Sequence, residues 1–315
     1  MGTIKWVPAR SVNRHASRAT PIHTVTVFAN SSAGKGAGGE IARSLASRLQ
    51  SDGFQVRTLL DSPASAARPE GQCDAAIVIG GDGTLRAVVK AYLQANLPTP
   101  AILPIPMGTA NLMGRHLGID WSGANFAGRV AESLRQGRLA HLDVAAANGE
   151  PFLLVAGVGI DASIVHEVDR LRKGPINYAK YFLPAARTLI SYEYPSLEVH
   201  LDGRLVFPSA PAVAFIGNVS QYGTGFAMLP DARPDDGLLD LAVIPVNSRG
   251  EAIRKFLLSA AGEHLLDEGV VHARGRDIRV SSPETVPVQI DGDPAGHTPA
   301  VFNLLPARLA FIVPA

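Results

Sequence analysis

The 315-residue sequence predicts an α/β N-terminal domain, three-layered with a mostly parallel sheet, followed by a second domain that is mainly an antiparallel β-sandwich. Three observations predict this. Apolar strand-like runs alternate with helical periodicity up to about residue 143, glycine-rich turns close several of those strands, and beyond that point the strand-like runs become short and separated by turn residues. The length also favours two domains, because a single core stops growing at roughly 250–300 residues.

Residues 24–30, Thr-Val-Thr-Val-Phe-Ala-Asn, alternate as a strand, and the glycine-rich stretch 31–39 leads into a helix expected to end near Gln50. Residues 54–60 read as a second strand and 75–79, Ala-Ala-Ile-Val-Ile, as a buried third; a helix over 85–94 and a fourth strand over 101–105 follow. In such a sheet the ligand crevice lies at the C-terminal ends of the strands. Past residue 142, strands are expected over 152–156, 197–201, 213–218, 239–244 and 277–280, interrupted by one helical stretch over 178–192. Strands over 301–305 and 309–313 come last. The expected organisation is a flexible tail over 1–20, a first domain over 21–143 and a second over 144–305, with 306–315 packing back on the first.

Charged residues make up 18% of the chain and the formal net charge is +1, which argues against general nucleic-acid affinity and against disorder. Cys73 is the only cysteine, so neither an internal disulfide nor a cysteine metal cluster can form, and its place beside an apolar strand gives it a packing role. No run reaches the roughly 20 apolar residues of a spanning helix, so a cytoplasmic protein without a transmembrane segment is expected. The first 20 residues carry Lys5, Arg10, Arg14 and Arg18 with no acid, a pattern suited to an anionic membrane surface or to a solvated tail.

The most specific motif is Gly80-Gly81-Asp82-Gly83-Thr84, between a buried strand and a helix. Glycines at such a turn let backbone approach a phosphate, the helix N-terminus favours the anion, and Asp82 would face magnesium. A second loop, Pro106-Met107-Gly108-Thr109-Ala110-Asn111, repeats the strand-loop-helix placement, with Thr109 able to bond a phosphate or cap the helix. The first loop, Asn30-Ser31-Ser32-Ala33-Gly34, would form a third wall; it is not a Walker P-loop, and by itself it reads equally well as a plain turn. Asp235 to Asp240 is a carboxylate-rich turn, suited to a hard cation or simply to solvent.

These three loops together resemble the N-terminal domain of the diacylglycerol kinase catalytic family, which includes bacterial lipid kinases and sphingosine kinases, on a fold like that of NAD kinases and phosphofructokinases. Four later elements resemble the same family in order: Gly157-Val158-Gly159-Ile160-Asp161-Ala162, Gly217-Asn218 with Tyr222-Gly223-Thr224-Gly225, the run Pro230 to Asp240, and Asp291-Gly292-Asp293. The resemblance implies an ATP-dependent lipid kinase, transferring the γ-phosphate to a hydroxyl of a diacylglycerol-like lipid at the membrane surface. It implies ATP at Asn30, Ser31, Ser32, Ala33, Gly34, Gly80, Gly81, Asp82, Gly83, Thr84, Gly108, Thr109 and Asn111. It further implies a structural magnesium held by the Asp236 side chain with backbone oxygens of Arg233 and Leu238. Asp293 is then the base, Asp291 its support and Asp82 the organiser of magnesium-ATP. The chain departs from the family pattern where Asp293 replaces a glutamate, where Leu112 replaces an aspartate, and at Arg86-Ala87. Two other readings stand beside this one: an NAD-type kinase, which shares the Gly-Gly-Asp-Gly-Thr element, and a nucleotide-responsive lipid-binding regulator. Apolar and aromatic residues over 178–190 would line an acyl pocket or simply pack in the core, and an exposed edge strand in the second domain would support a homodimer.

Overall fold

The computed structural model describes residues 17–60, 73–121, 123, 125–170, 192–223 and 227–314. Residues 178–191 of the helical stretch expected over 178–192, most of the basic tail, and Thr224-Gly225 lie outside them. The described residues divide into two compact units, 17–142 with 307–314, and 143–306.

In the first unit, strands β2 (Thr24–Ala29), β3 (Gln55–Leu60), β4 (Ala75–Gly80) and β5 (Ala101–Pro106) form a parallel sheet in the order β5-β4-β2-β3, and the end of β16 (Ala300–Ile312) joins beside β5 with Phe311 opposite Ile102. Every residue of β4 is buried, as expected of a parallel strand covered on both faces. Helix α1 (Gly38–Ser51) buries Ala42, Leu45, Ala46 and Leu49, and α2 (Asp82–Gln94) buries Leu85, Val88, Val89 and Tyr92, in each case one stripe at helical spacing. Short α3 (Leu112–His116) follows β5, and α4 (Phe126–Gln136), closed by left-handed Gly137, contributes Val130, Ala131 and Leu134 to the same core. A two-residue strand β1 (Ser17–Arg18) pairs with β6 (Arg138–Ala147) at Leu139 and Arg138.

The second unit is antiparallel and β-rich. One sheet has the order β15-β14-β8-β10-β11-β12, from β15 (Asp293–His297), β14 (Pro287–Ile290), β8 (Val155–Val158), β10 (Arg204–Gly217), β11 (Leu239–Pro245) and β12 (Val271–Gly275). Its partner contains β9 (Ser196–Leu201), β13 (Asp277–Ser281), the early part of β16, and the pair of β6 with β7 (Glu150–Phe152). Strand β10 belongs to both: its first half pairs with β9 and its second with β8 and β11. The change of sheet coincides with register shifts between Leu205 and Ala210, around Pro208, where a missing N–H is tolerated. Phe152, Val199, Phe207, Ile216, Val243 and Phe302 are among the side chains of this unit's core.

The structure corrects several expected elements. Residues 152–156 are not one strand but the end of β7 and the start of β8, because the N–H groups of Leu153 and Leu154 turn away to a carboxylate described below. The two closing strands are a single β16, with Pro306 between the residues registered with β13 and those registered with β5. The second unit also carries helices α5 (Ile160–Arg170) and α6 (Arg249–Ala261). The start of α6 was readable: Ser248 accepts the Glu251 N–H at 3.2 Å while Glu251 accepts the Asn247 N–H at 2.8 Å, a variant of the capping box. Among the described residues no helix is long and apolar enough to cross a membrane.

Candidate active site

Three loops leave the C-terminal ends of β2, β4 and β5, and backbone contacts tie them together. Asn30 accepts the Ser32 N–H at 3.0 Å and its hydroxyl at 2.7 Å, which closes the first loop as an Asx turn. Gly34 and Lys35 are both left-handed, at φ 58° and 59°. A Cβ on Gly34 would stand 2.1 Å from the Met107 methyl, so the first loop is packed against the third rather than being a loose turn. Met107 N–H donates to Gly80 O at 2.8 Å, and a Cβ on Gly108 would lie 2.6 Å from Gly81 Cα. Glycine is required at these two positions by one loop's backbone against the other's. Asn111, left-handed at φ 49°, grips the same turn, accepting the Gly108 N–H at 2.7 Å and donating to its carbonyl at 2.8 Å.

Asp82 begins α2, yet its carboxylate reaches across to the next helix, accepting the Leu112 N–H at 2.9 Å and the Met113 N–H at 3.1 Å. It thereby satisfies two of the free donors at the N-terminus of α3. Burial pushes its carboxyl up, opposed by those hydrogen bonds from Met113 and Leu112. Leu112, where a carboxylate was expected by resemblance, is buried. Thr84 is also buried, under Gly80, whereas Gly83 and Thr109 are exposed. A shallow hollow lined by Gly80, Gly81, Asp82, Pro106, Asn111 and Gly114 marks where the second and third loops meet.

In the second unit the acidic turn is ordered by its own backbone. Gly237, at φ 74°, donates to the Asp143 carboxylate at 2.8 Å, and Leu238 donates to Asp236 at 3.1 Å. Asp240 is fully buried and receives Arg274 at 3.0 Å. Burial pushes the Asp236 carboxyl up; the Leu238 N–H opposes this and Asp240 adds to it. Asp236 is a partly buried carboxylate on a turn that also carries backbone carbonyls, the oxygen types a hard cation takes, so the residue types are compatible with magnesium. Among the described residues no group of three or more His, Cys, Asp or Glu side chains is arranged for a metal.

The Asp291-Gly292 pair makes the two-residue turn between β14 and β15, where Ile290 faces Asp293. Both turn residues are left-handed, at φ 50° and 85°, as a type I′ hairpin requires. The Asp291 side chain folds back to accept N–H groups of Leu153 at 2.8 Å, Leu154 at 2.9 Å and Val155 at 3.2 Å. Asp291 is thus a structural anchor for the turn, and Asp293 is the first residue of β15 beyond it.

Beneath the turn lies a group that sequence reasoning did not single out. The Asp161 carboxylate accepts the Tyr222 hydroxyl on one oxygen and the Gln289 amide at 2.9 Å on the other. Gly157 makes room for it, since a Cβ there would lie 1.9 Å from Asp161 Oδ2. Burial pushes the Asp161 carboxyl up to about 6, with the Tyr222 and Gln289 hydrogen bonds opposing the rise. The signal was present in Gly157-Val158-Gly159-Ile160-Asp161, but its partners are 61 and 128 residues away. Asp143 was missed for the same reason. His166 is structural, bonded to Val288 O at 2.9 Å and stacked edgewise on His297.

A pH prediction follows from Asp161. Folding favours its neutral form, so the stability it lends is complete below its ordinary value of 3.8 and is lost as pH rises through about 6. Relative to Asp161→Asn, the wild-type protein is expected to gain up to about 3 kcal/mol between about pH 7 and about pH 4. Paired thermal melts across that window measure the difference, and a gap that does not change with pH refutes the assignment.

Residues 24–147 match the model of the diacylglycerol kinase catalytic domain, and residues 154–313 that of the YegS C-terminal NAD kinase beta sandwich-like domain. A diacylglycerol kinase of Bacillus subtilis strain 168 is 27% identical over 243 residues, spanning 76% of this chain and 78% of its own. One of Staphylococcus aureus (strain bovine RF122 / ET3-1) is 27% identical over 244 residues, spanning 76% of this chain and 75% of its own. A solved protein structure from Bacillus anthracis str. Sterne has the same fold, with a TM-score of 0.71 at 24% identity, covering 93% of this chain and 98% of that one.

Proposed function

The chain belongs to the diacylglycerol kinase catalytic-domain family, and from that membership we propose that it is an ATP-dependent lipid kinase acting on a lipid hydroxyl at a membrane surface. The observation that carries the reading is the pinned Asp291-Gly292 turn, which holds an acidic side chain at position 293 on a backbone with little freedom. Phosphoryl transfer asks a protein mainly for positioning and charge neutralisation.

In this reading the loops around Asn30, Gly80–Gly83 and Gly108–Asn111 receive the ATP phosphates through backbone N–H groups and the Thr109 hydroxyl. Asp82 holds the second and third loops in register and offers its remaining lone pairs to magnesium-ATP. Asp293 accepts the proton of the acceptor hydroxyl as its oxygen forms the bond to the γ-phosphorus, and the bond to the β,γ-bridging oxygen breaks to leave ADP. Magnesium bound with ATP would supply neutralising charge, and a separate structural magnesium would be held on the second unit by Asp236 with the carbonyls of Arg233 and Leu238. The Asp291 side chain keeps the hairpin in place and takes no proton.

The test is transfer of labelled γ-phosphate from magnesium-ATP to a lipid panel in mixed micelles, with NAD as a parallel acceptor. Labelled lipid is the expected result. Labelled NADP would replace the reading with an NAD-type kinase, and ATP binding without any labelled product would replace it with a regulator. The cation assignment has its own readout. Millimolar magnesium is expected to raise the melting temperature of the wild type and not of Asp236→Ala, since a ligand stabilises the state it binds. Equal shifts in both proteins would dismiss Asp236 as a ligand.

A further inference from the structure

We propose that Gln289 is a positioning residue for Asp293, with its amide orientation set by the buried Asp161 carboxylate. This rests on the assignment of Asp293 as the base. Gln289 is fully buried on β14, opposite Gly157 of β8. Its Nε2 donates to Asp161 at 2.9 Å, and its Oε1 accepts the Gly292 N–H at 2.9 Å. A primary amide has one donating and one accepting end. An ionised carboxylate only accepts, so the amide must turn its nitrogen to Asp161 and its oxygen to Gly292. The opposite orientation would set oxygen against carboxylate and nitrogen against N–H. Tyr222 donates to the other carboxylate oxygen and so fixes Asp161 in turn.

The consequence falls on the hairpin. Asp291 anchors its own corner of the turn to the N–H groups that open β8, and the Gly292 corner is held from below by Gln289. Gly292 has no side chain and an unhindered backbone at φ 85°, with nothing within 4 Å of where a Cβ would stand. Without the Gln289 acceptor the peptide on either side of Gly292 can rotate, and the next residue it swings is Asp293. A misplacement of about 1 Å at a reacting group costs about 100-fold in rate. Tyr222, Asp161, Gln289 and Gly292 therefore form a hydrogen-bonded line that ends on the backbone one residue before the base.

The experiment uses the full chain with magnesium-ATP and 1,2-dioleoylglycerol in mixed micelles, together with amide hydrogen exchange of the segment 287–297. Gln289→Met, which keeps the volume and removes the amide, is expected to lower kcat by about 30- to 100-fold with KM for ATP unchanged, and to speed exchange at Gly292 by at least about tenfold. In an Asp293→Asn background the same change is expected to lower the residual kcat by less than about threefold, because a residue acting only through Asp293 has nothing left to position. Asp161→Asn can still accept the Gln289 amide while donating to the Tyr222 oxygen, so kcat is expected within about fivefold of wild type. If Gln289→Met fails to fold, Asp161→Ala, which leaves Gln289 in place but unoriented, carries the same predictions. Unchanged kcat and exchange in a folded disruptive variant overturns the proposal, as does a full multiplicative loss in the Asp293→Asn background. Wild-type turnover in Asp293→Asn alone overturns instead the base assignment on which the proposal rests.

Discussion

Asp293→Asn is expected to lower turnover of magnesium-ATP and lipid by about 1,000-fold while leaving the affinity for ATP unchanged. A positioned general base contributes about 100- to 10,000-fold to a proton transfer, and the amide removes the base without removing the shape. The fold should survive, because Asp291 and Gln289 hold the hairpin through backbone N–H groups and asparagine keeps the shape of the side chain at position 293. Steady-state kinetics with labelled ATP, together with a melting curve, checks both halves. A variant that turns over normally would show that the proton leaves by another route. A loss of activity accompanied by a large drop in melting temperature would instead make Asp293 a structural residue.

The second large effect is expected at Asp82. Asp82→Ala strands the Leu112 and Met113 N–H groups at the start of α3, and each unsatisfied buried donor costs about 1–3 kcal/mol, so a loss of about 2–4 kcal/mol is expected. The loop between Gly108 and Asn111 loses its tie to α2 at the same time, and ATP affinity is expected to fall by more than about tenfold. Asp82→Asn separates the two contributions. Its oxygen can still accept one N–H, but its nitrogen faces the other donor, and the charge is gone. Stability is then expected to recover in part while ATP binding stays weak. Chemical denaturation and equilibrium nucleotide binding supply the two numbers, and an Ala variant as stable as wild type would refute the helix-tying role.

The early loops were legible because their rules are local. A buried apolar strand, a glycine turn and an amphipathic helix occupy adjacent stretches of chain, so Gly80 to Thr84 and Pro106 to Asn111 announce themselves by composition and order. The stripes Ala42-Leu45-Ala46-Leu49 and Leu85-Val88-Val89-Tyr92 are equally local, and the helices that carry them were expected over those stretches. Less legible was what the motif residues do. Glycine at 81 was read as room for a phosphate, and the structure adds that Gly81 and Gly108 each make room for the other. Asp291 was read as a supporting acid, and its oxygens are taken up by backbone 136 to 138 residues away.

The break between β7 and β8 belongs to the same class. Residues 152–156 carry uninterrupted strand propensity, and only the arrival of the Asp291 carboxylate draws three of their N–H groups to itself. Asp161 and Gln289 could not be paired from sequence, since a buried carboxylate becomes identifiable only when the fold shows what desolvates it and what bonds it. By itself, then, the sequence determined the two fold classes, the order of the phosphate-type loops and the family, because periodicity, turn chemistry and motif order are properties of neighbouring residues. Tertiary structure alone decided which acids are anchors, which glycines touch and which amide sits under the hairpin, because those depend on groups brought together from 27 to 138 residues apart, where no local rule reaches.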